Sequence, residues 1–199
     1  MQSLEHTIET ETITYSKAKS YFKLTKFTLS ALVVFSAVVT YFTVAESFEF
    51  LKIMGLAIGG FMVTGAANGF NQIIEKDLDA LMNRTKLRPL PTANLTKMQA
   101  FLFCAILTIV GVFLLGFFCN ILSGIVGFIS VLLYALLYTP LKRKTPFSVF
   151  VGALPGALPT LIGAVAATNG FAQIHSLGIF LFFIQLFWQF PPFWPLPRV

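Results

Sequence analysis

Six uncharged, apolar runs divide the chain, at residues 27–45, 53–74, 98–118, 121–140, 147–168 and 177–193, with short polar stretches between them. A helix needs about 20 consecutive apolar residues to cross the hydrocarbon of a bilayer, and each run is of that order. Such a helix satisfies its own backbone N–H and C=O groups, as lipid requires. The pattern predicts an all-α, polytopic transmembrane helix bundle of about six spans.

The connections sharpen that picture. Residues 46–50, 119–120 and 169–176 are too short to hold a domain outside the membrane, whereas residues 75–97 form a long charged loop closed by Pro89, Pro91 and Asn94. Long polar loops in compact proteins tend to be functional. Residues 1–22 read as a polar, Thr-rich leader and residues 23–199 as the membrane domain. In the leader Glu5, Glu9 and Glu11 precede Lys17 and Lys19, the reverse of a signal peptide and unlike the Arg-rich, acid-poor transit peptides of mitochondria. A bacterial inner membrane is the expected location.

Composition agrees: 56% of the residues are apolar and 11% charged, which excludes an ordinary soluble domain. The net charge of +6 would suit a nucleic-acid binder, but the cations are placed by topology. Lys17, Lys19, Lys23 and Lys26 precede the first span, Lys76, Arg84, Lys86, Arg88 and Lys97 lie in the long loop, Lys142, Arg143 and Lys144 follow the fourth span, and only Lys52 falls on the opposite side. Since short loops rich in Lys and Arg stay cytoplasmic, these segments and the amino terminus are expected to be cytoplasmic, with the lipid bilayer and no nucleic acid as partner. Cys104 and Cys119 suggest neither a disulfide nor a zinc site, and His6 and His175 read as solvated. Gly55-x3-Gly59 and Gly152-x3-Gly156 suit close helix packing. Pro155 and Pro159 point to a kink beside a cavity, and Tyr134, Tyr138, Trp188 and Trp194 read as interfacial anchors.

The chemistry concentrates at the carboxylates of the long loop. Asn71, Glu75 and Asp79 are spaced by four and share one helical face if the second span continues through them, with Asp77 pointing elsewhere. Two carboxylates one turn apart repel unless a cation lies between them. Hard oxygen ligands of this kind suit Mg2+, which commonly joins one or two carboxylates to substrate phosphates. The alternative is a solvated helix end whose acids pair with nearby cations. Arg84, Lys86 and Arg88 just beyond the acids favour a metal–diphosphate site, since they offer a grip on phosphate oxygens.

The stretch Asn71-Gln72-Ile73-Ile74-Glu75-Lys76-Asp77-Leu78-Asp79, followed by Arg84-Thr85-Lys86-Leu87-Arg88-Pro89-Leu90, resembles the first signature of the UbiA intramembrane prenyltransferase superfamily, most closely the branch that farnesylates protoheme IX. Leu24-Thr25-Lys26, the segment from Tyr138 to Thr145, residues 152–163 and the segment from Phe187 to Trp194 resemble the same branch, so the likeness covers about residues 21 to 194. The resemblance implies a Mg2+-dependent enzyme that transfers farnesyl from farnesyl diphosphate to a vinyl group of heme b, and an association with heme A synthase. It implies Asn71, Glu75 and Asp79 as catalytic and metal-site residues and Arg84, Lys86, Arg88 and Lys26 as diphosphate contacts. Lys142 and Arg143 would contact diphosphate or a heme propionate.

The chain departs from that family at three places. The family carries a second acidic cluster after the sixth span, whereas no Asp or Glu follows Asp79 here. It has His where this chain has Pro192, and Pro-Arg where it has Phe27-Thr28. The chain therefore reads as a C-terminally truncated copy, about six spans of a larger prenyltransferase bundle, with weakened or absent activity expected. Two other readings share some of these features: transfer of a prenyl group to a quinone precursor, and a non-catalytic membrane assembly or transport role.

Overall fold

A computed structural model describes residues 15–145, 147–168 and 176–190. Among these the chain is helical throughout its ordered elements, without strands: α1 (Lys17–Leu24), α2 (Phe27–Val44), α3 (Phe50–Ile74), α4 (Lys76–Leu81), α5 (Lys97–Leu114), α6 (Ile121–Leu132), α7 (Thr139–Leu141), α8 (Ser148–Ala166) and α9 (Ser176–Trp188). The last turns of α5 widen into a π-helix over Leu115–Cys119, and those of α6 over Leu133–Tyr138. Five stretches are long and apolar enough to cross a membrane: Phe27–Val44, Phe50–Ile74, Lys97–Cys119, Ile121–Leu141 and Ser148–Ala166. The sixth predicted span is a 13-residue helix, α9, shorter than the roughly 20 residues a crossing needs; its last predicted residues lie outside those described, as do His6, His175, Pro192 and Trp194. This is an integral membrane helix bundle.

The five long helices form a ring. α3 packs most extensively on α5 and also on α2, α8 closes the ring between α2 and α6, and α9 lies against α8 with a lighter contact to α2. Large apolar side chains such as Phe35, Ile109, Phe113 and Phe117 face outward and are exposed, as lipid-facing residues should be. With lipid outside as apolar as the side chains within, cohesion depends on close packing through small residues. At the α3–α5 crossing a Cβ on Gly59 would lie 2.9 Å from the carbonyl oxygen of Gly111, and the reverse distance is also 2.9 Å, so the two backbones meet nearly in contact.

The ends are tied by polar caps. Thr96 and Gln99 form a reciprocal capping box at the start of α5. Asn120 caps α6 through Ser123 N and donates to the carbonyls of Val165 and Thr168, tying that turn to the end of α8. The long loop is anchored because Leu90 and Leu95 are fully buried against Leu24, Ala66, Ala100 and Cys104. That anchoring holds the segment carrying Arg84 and Arg88 against the bundle end. Cys104 is a buried free thiol in this cluster.

Candidate functional site

Glu75 is the junction at which α3 passes into α4; its backbone leaves the helical region (φ −95°, ψ 7°). Asp79 N still donates to Glu75 O at 2.8 Å, so the two elements stay nearly in register. Asn71, Glu75 and Asp79 consequently share one buried face. Asp77 is turned outward with its side chain 85% exposed, 3.8 Å from Lys97.

Each buried carboxylate meets a cation, Glu75 one from 67 positions away and Asp79 one from nine positions on in the same loop. Glu75 Oε2 accepts from Lys142 Nζ at 2.8 Å and from Asn71 Nδ2 at 3.0 Å. Asn71 Nδ2 also donates to Thr139 Oγ1 at 3.1 Å, and Thr139 Oγ1 in turn donates to Tyr134 O at 2.7 Å. Arg88 Nη1 donates to both oxygens of Asp79, at 2.8 and 2.7 Å, while Thr85 Oγ1 donates to the Asp79 carbonyl at 2.9 Å.

Asn71, Glu75, Asp79, Thr85, Arg88 and Lys142 line a cavity of about 430 Å³ at one end of the bundle, together with Lys26, Arg84 and Arg143. Five cations thus surround two carboxylates among the described residues. Burial, then Arg88 and Lys142, lowers the Lys26 ammonium to about 8. Lys26 adopts a left-handed backbone conformation, φ 48°, uncommon for a residue with a Cβ. Lys86 is exposed and is not among the residues lining this cavity.

A second cavity, of about 390 Å³, continues toward the middle of the bundle between α2, α3, α6, α8 and α9. Its walls are mainly apolar and include Leu32, Val33, Ala67, Pro155 and Pro159, with Asn68, Gln185 and Gln189 among the polar groups. Tyr134, Tyr138 and Gly152 line both cavities. Each volume falls within the range of about 300–1,000 Å³ usual for ligand pockets. A Cβ at Gly152 would run into the Tyr138 ring, so the glycine allows that ring its place between the cavities. The two tyrosines, read from sequence as interfacial anchors, are instead cavity walls. The π-helical turns that carry them shift the register away from an α-helical reading.

The donor set can be weighed against a Mg2+ ion. Among the described residues no group of three or more His, Cys, Asp or Glu side chains could hold a metal by itself. Two carboxylates and an amide on one face, beside cations able to hold phosphate, nonetheless fit the coordination in which substrate oxygens complete the shell.

The UbiA prenyltransferase family model matches residues 31–198. The chain is 47% identical over 174 residues to a protein named protoheme IX farnesyltransferase from Christiangramia forsetii, covering 87% of this chain and 57% of that protein. It is 48% identical over 177 residues to one of the same name from Flavobacterium psychrophilum, at 87% and 58% coverage, and 41% identical over 185 residues to one from Cytophaga hutchinsonii, at 92% and 64% coverage. The chain thus spans about three fifths of the length of the curated relatives it matches. No solved structure matches it.

Proposed function

The chain belongs to the UbiA prenyltransferase family, and on that premise we propose that it binds farnesyl diphosphate and transfers the farnesyl group to a vinyl group of protoheme IX (heme b), giving heme O. The observation that carries this reading is the pair of contiguous cavities, one charged and one largely apolar, sharing Tyr134, Tyr138 and Gly152. That arrangement suits an amphiphile with an anionic head and an apolar tail. The acceptor is proposed from the name borne by the relatives.

In this reading Lys26, Arg84 and Arg88 take the diphosphate oxygens, and Lys142 and Arg143 lie where either the diphosphate or a heme propionate can reach them. Charge-assisted contacts of this kind are strong and, for Arg, directional. They neutralise the charge that collects on the diphosphate as the allylic C–O bond breaks, and they are worth more in a site shielded from water. The apolar cavity receives the isoprenoid chain and keeps water from the farnesyl carbon until the vinyl group forms the new C–C bond; the cation then left on the vinyl carbon next to the porphyrin ring takes up a water molecule and loses a proton, so the product carries a hydroxyl group there. Tyr134 and Tyr138 place aromatic rings at the border of the two cavities, where a ring can stabilise developing positive charge. Enzymes of this family generally use Mg2+ through acidic motifs; here Asn71, Glu75 and Asp79 would hold it, and when bound it supplies Lewis-acid stabilisation of the leaving group.

The cytoplasm is the compartment onto which the charged cavity opens in this reading, in a bacterial inner membrane with the amino terminus inside. The test is to supply the purified protein with farnesyl diphosphate, Mg2+ and either heme b or 4-hydroxybenzoate. Farnesylation of heme b, even at a low rate, is expected, and prenylation of 4-hydroxybenzoate alone would reject the acceptor. Substituting Glu75 and Asp79 by Ala should abolish Mg2+-dependent farnesyl diphosphate binding; unchanged binding would favour a non-enzymatic role.

A further inference from the structure

The buried polar residues from the end of α3 into α4 fall into two adjacent stripes, and only one of them faces the charged cavity. Asn71, Glu75 and Asp79 line or border it. Asn68 and Gln72, also four apart, are buried against the turn that joins α1 to α2. That turn has a demanding set of backbone acceptors, because α1 ends and α2 begins with almost no intervening chain and buried carbonyls need partners.

Five successive carbonyls are satisfied in five ways. Phe22 O accepts from Thr25 Oγ1 at 2.8 Å, Lys23 O from Lys26 N at 3.2 Å, Leu24 O from Gln72 Nε2 at 2.7 Å, Thr25 O from Ser30 Oγ at 2.7 Å, and Lys26 O from Ser30 N at 3.0 Å. Ser30 Oγ is itself held by Asn68 Nδ2 at 3.2 Å. Gln72 therefore grips the turn directly, and Asn68 grips it through Ser30. A Cβ on Gly65 would press on Thr25 Cβ at 3.1 Å, so α3 also narrows to admit the turn.

The residue at the centre of this grip is Lys26, in its left-handed conformation (φ 48°) and lining the cavity. A lysine does not hold such a backbone by its own preference; surrounding contacts must enforce it. We propose that Gln72, assisted by Asn68, is a positioning residue that locks the Leu24–Lys26 turn and so aims the Lys26 ammonium into the anion site. This rests on reading the charged cavity as the site of the diphosphate.

The test uses the full chain in nanodiscs, with farnesyl thiodiphosphate plus Mg2+ as the binding probe and steady-state transfer as a second readout. The variants are Q72L, K26M, Q72L/K26M and, as a control, T108V, which removes a buried hydroxyl bonded within α5 away from the turn. Q72L and K26M should each weaken probe binding at least tenfold and raise KM far more than they lower kcat. The double variant should bind no worse than K26M alone, because Gln72 acts only through Lys26, and T108V should bind like the unsubstituted protein. Probe binding by Q72L equal to that of the unsubstituted protein, a double variant whose losses multiply, or an equal loss in T108V overturns the inference. If K26M alone binds normally, the inference falls while the cavity keeps its other cations. If the unsubstituted protein itself fails to bind the probe, the reading of the cavity as a diphosphate site falls as well.

Discussion

Substituting Glu75 by Gln separates the structural and chemical duties of that carboxylate. Gln has nearly the same shape but carries no charge, so Lys142 loses its counter-charge at 2.8 Å and Asn71 Nδ2 loses an ionised acceptor at 3.0 Å. Removing one partner of a fully buried ion pair costs ~3–5 kcal/mol. The Lys142 side chain is 29% exposed, so water replaces part of the lost contact and the cost falls to roughly 1–2 kcal/mol. With soluble-domain scaling of about 2–4 °C per kcal/mol at this chain length, the melting midpoint in detergent should drop by a few degrees. Farnesyl transfer should fall much further, by roughly 10²–10³ in kcat/KM, the usual loss when one preorganised group that stabilises the transition state is removed. Adding Lys142→Met to Glu75→Gln removes the orphaned cation and should recover most of the melting midpoint but none of the activity. Full Mg2+-dependent turnover by the single variant, or recovered turnover in the double variant, would refute the assignment and leave Glu75 as a structural partner of Lys142.

Three further outcomes follow from the same geometry. Lys26, lowered to about 8 chiefly by burial, is charged below that pH and neutral above it, so prenyl diphosphate binding should weaken as pH rises through about 8; Lys26→Arg, which stays charged, should flatten that limb in a binding titration. Asp77→Asn should leave turnover and melting unchanged within about 0.5 kcal/mol, since that side chain is 85% exposed; a large loss would move the acidic site off the Asn71–Asp79 face. Gly163→Ala should destabilise the bundle by about 1–3 kcal/mol or more, because its Cβ would strike the Ala37 backbone carbonyl across the α2–α8 contact. Gly116→Ala, with nothing within 4 Å of the added atom, should melt as the unsubstituted protein does, and equal effects in the two would show that the α2–α8 crossing is not close.

The acidic face was legible in sequence because it depends on local geometry alone: a spacing of four survives even the break at Glu75, and it set Asp77 apart. The partners of those acids were not. Lys142 reaches Glu75 across 67 positions of sequence, and only the ring order of the helices brings them together. Charge pattern alone gave no reason to separate Arg84 and Arg88 from Lys86; the anchoring of the loop by Leu90 and Leu95 sorts them. Tyr134 and Tyr138 were misread because an aromatic ring near a span end looks the same whether it faces headgroups or a cavity, and the π-helical turns beneath them have no evident sequence mark. The contribution of Gln72 was likewise hidden, since a glutamine beside a metal-type motif carries no signal until the carbonyl it meets is known. Of the sixth predicted span the described residues include the 13-residue helix α9, and the rest of that apolar stretch lies outside them.

If the charged cavity takes metal and prenyl diphosphate as proposed, the ion pairs at Glu75–Lys142 and Asp79–Arg88 bear on the order in which they arrive. In the free protein the carboxylates are already neutralised and an excess of fixed positive charge remains around them, so a lone divalent cation meets both occupied ligands and a repulsive field. A lone diphosphate must draw Lys142 and Arg88 away from their partners and leaves two buried carboxylates exposed to one another. Arriving together, each ligand accepts the groups that the other releases, and the site exchanges two internal pairs for two external ones with little change in total charge. Metal and prenyl diphosphate should therefore bind with positive coupling, each raising the affinity for the other by the same factor, as linkage requires.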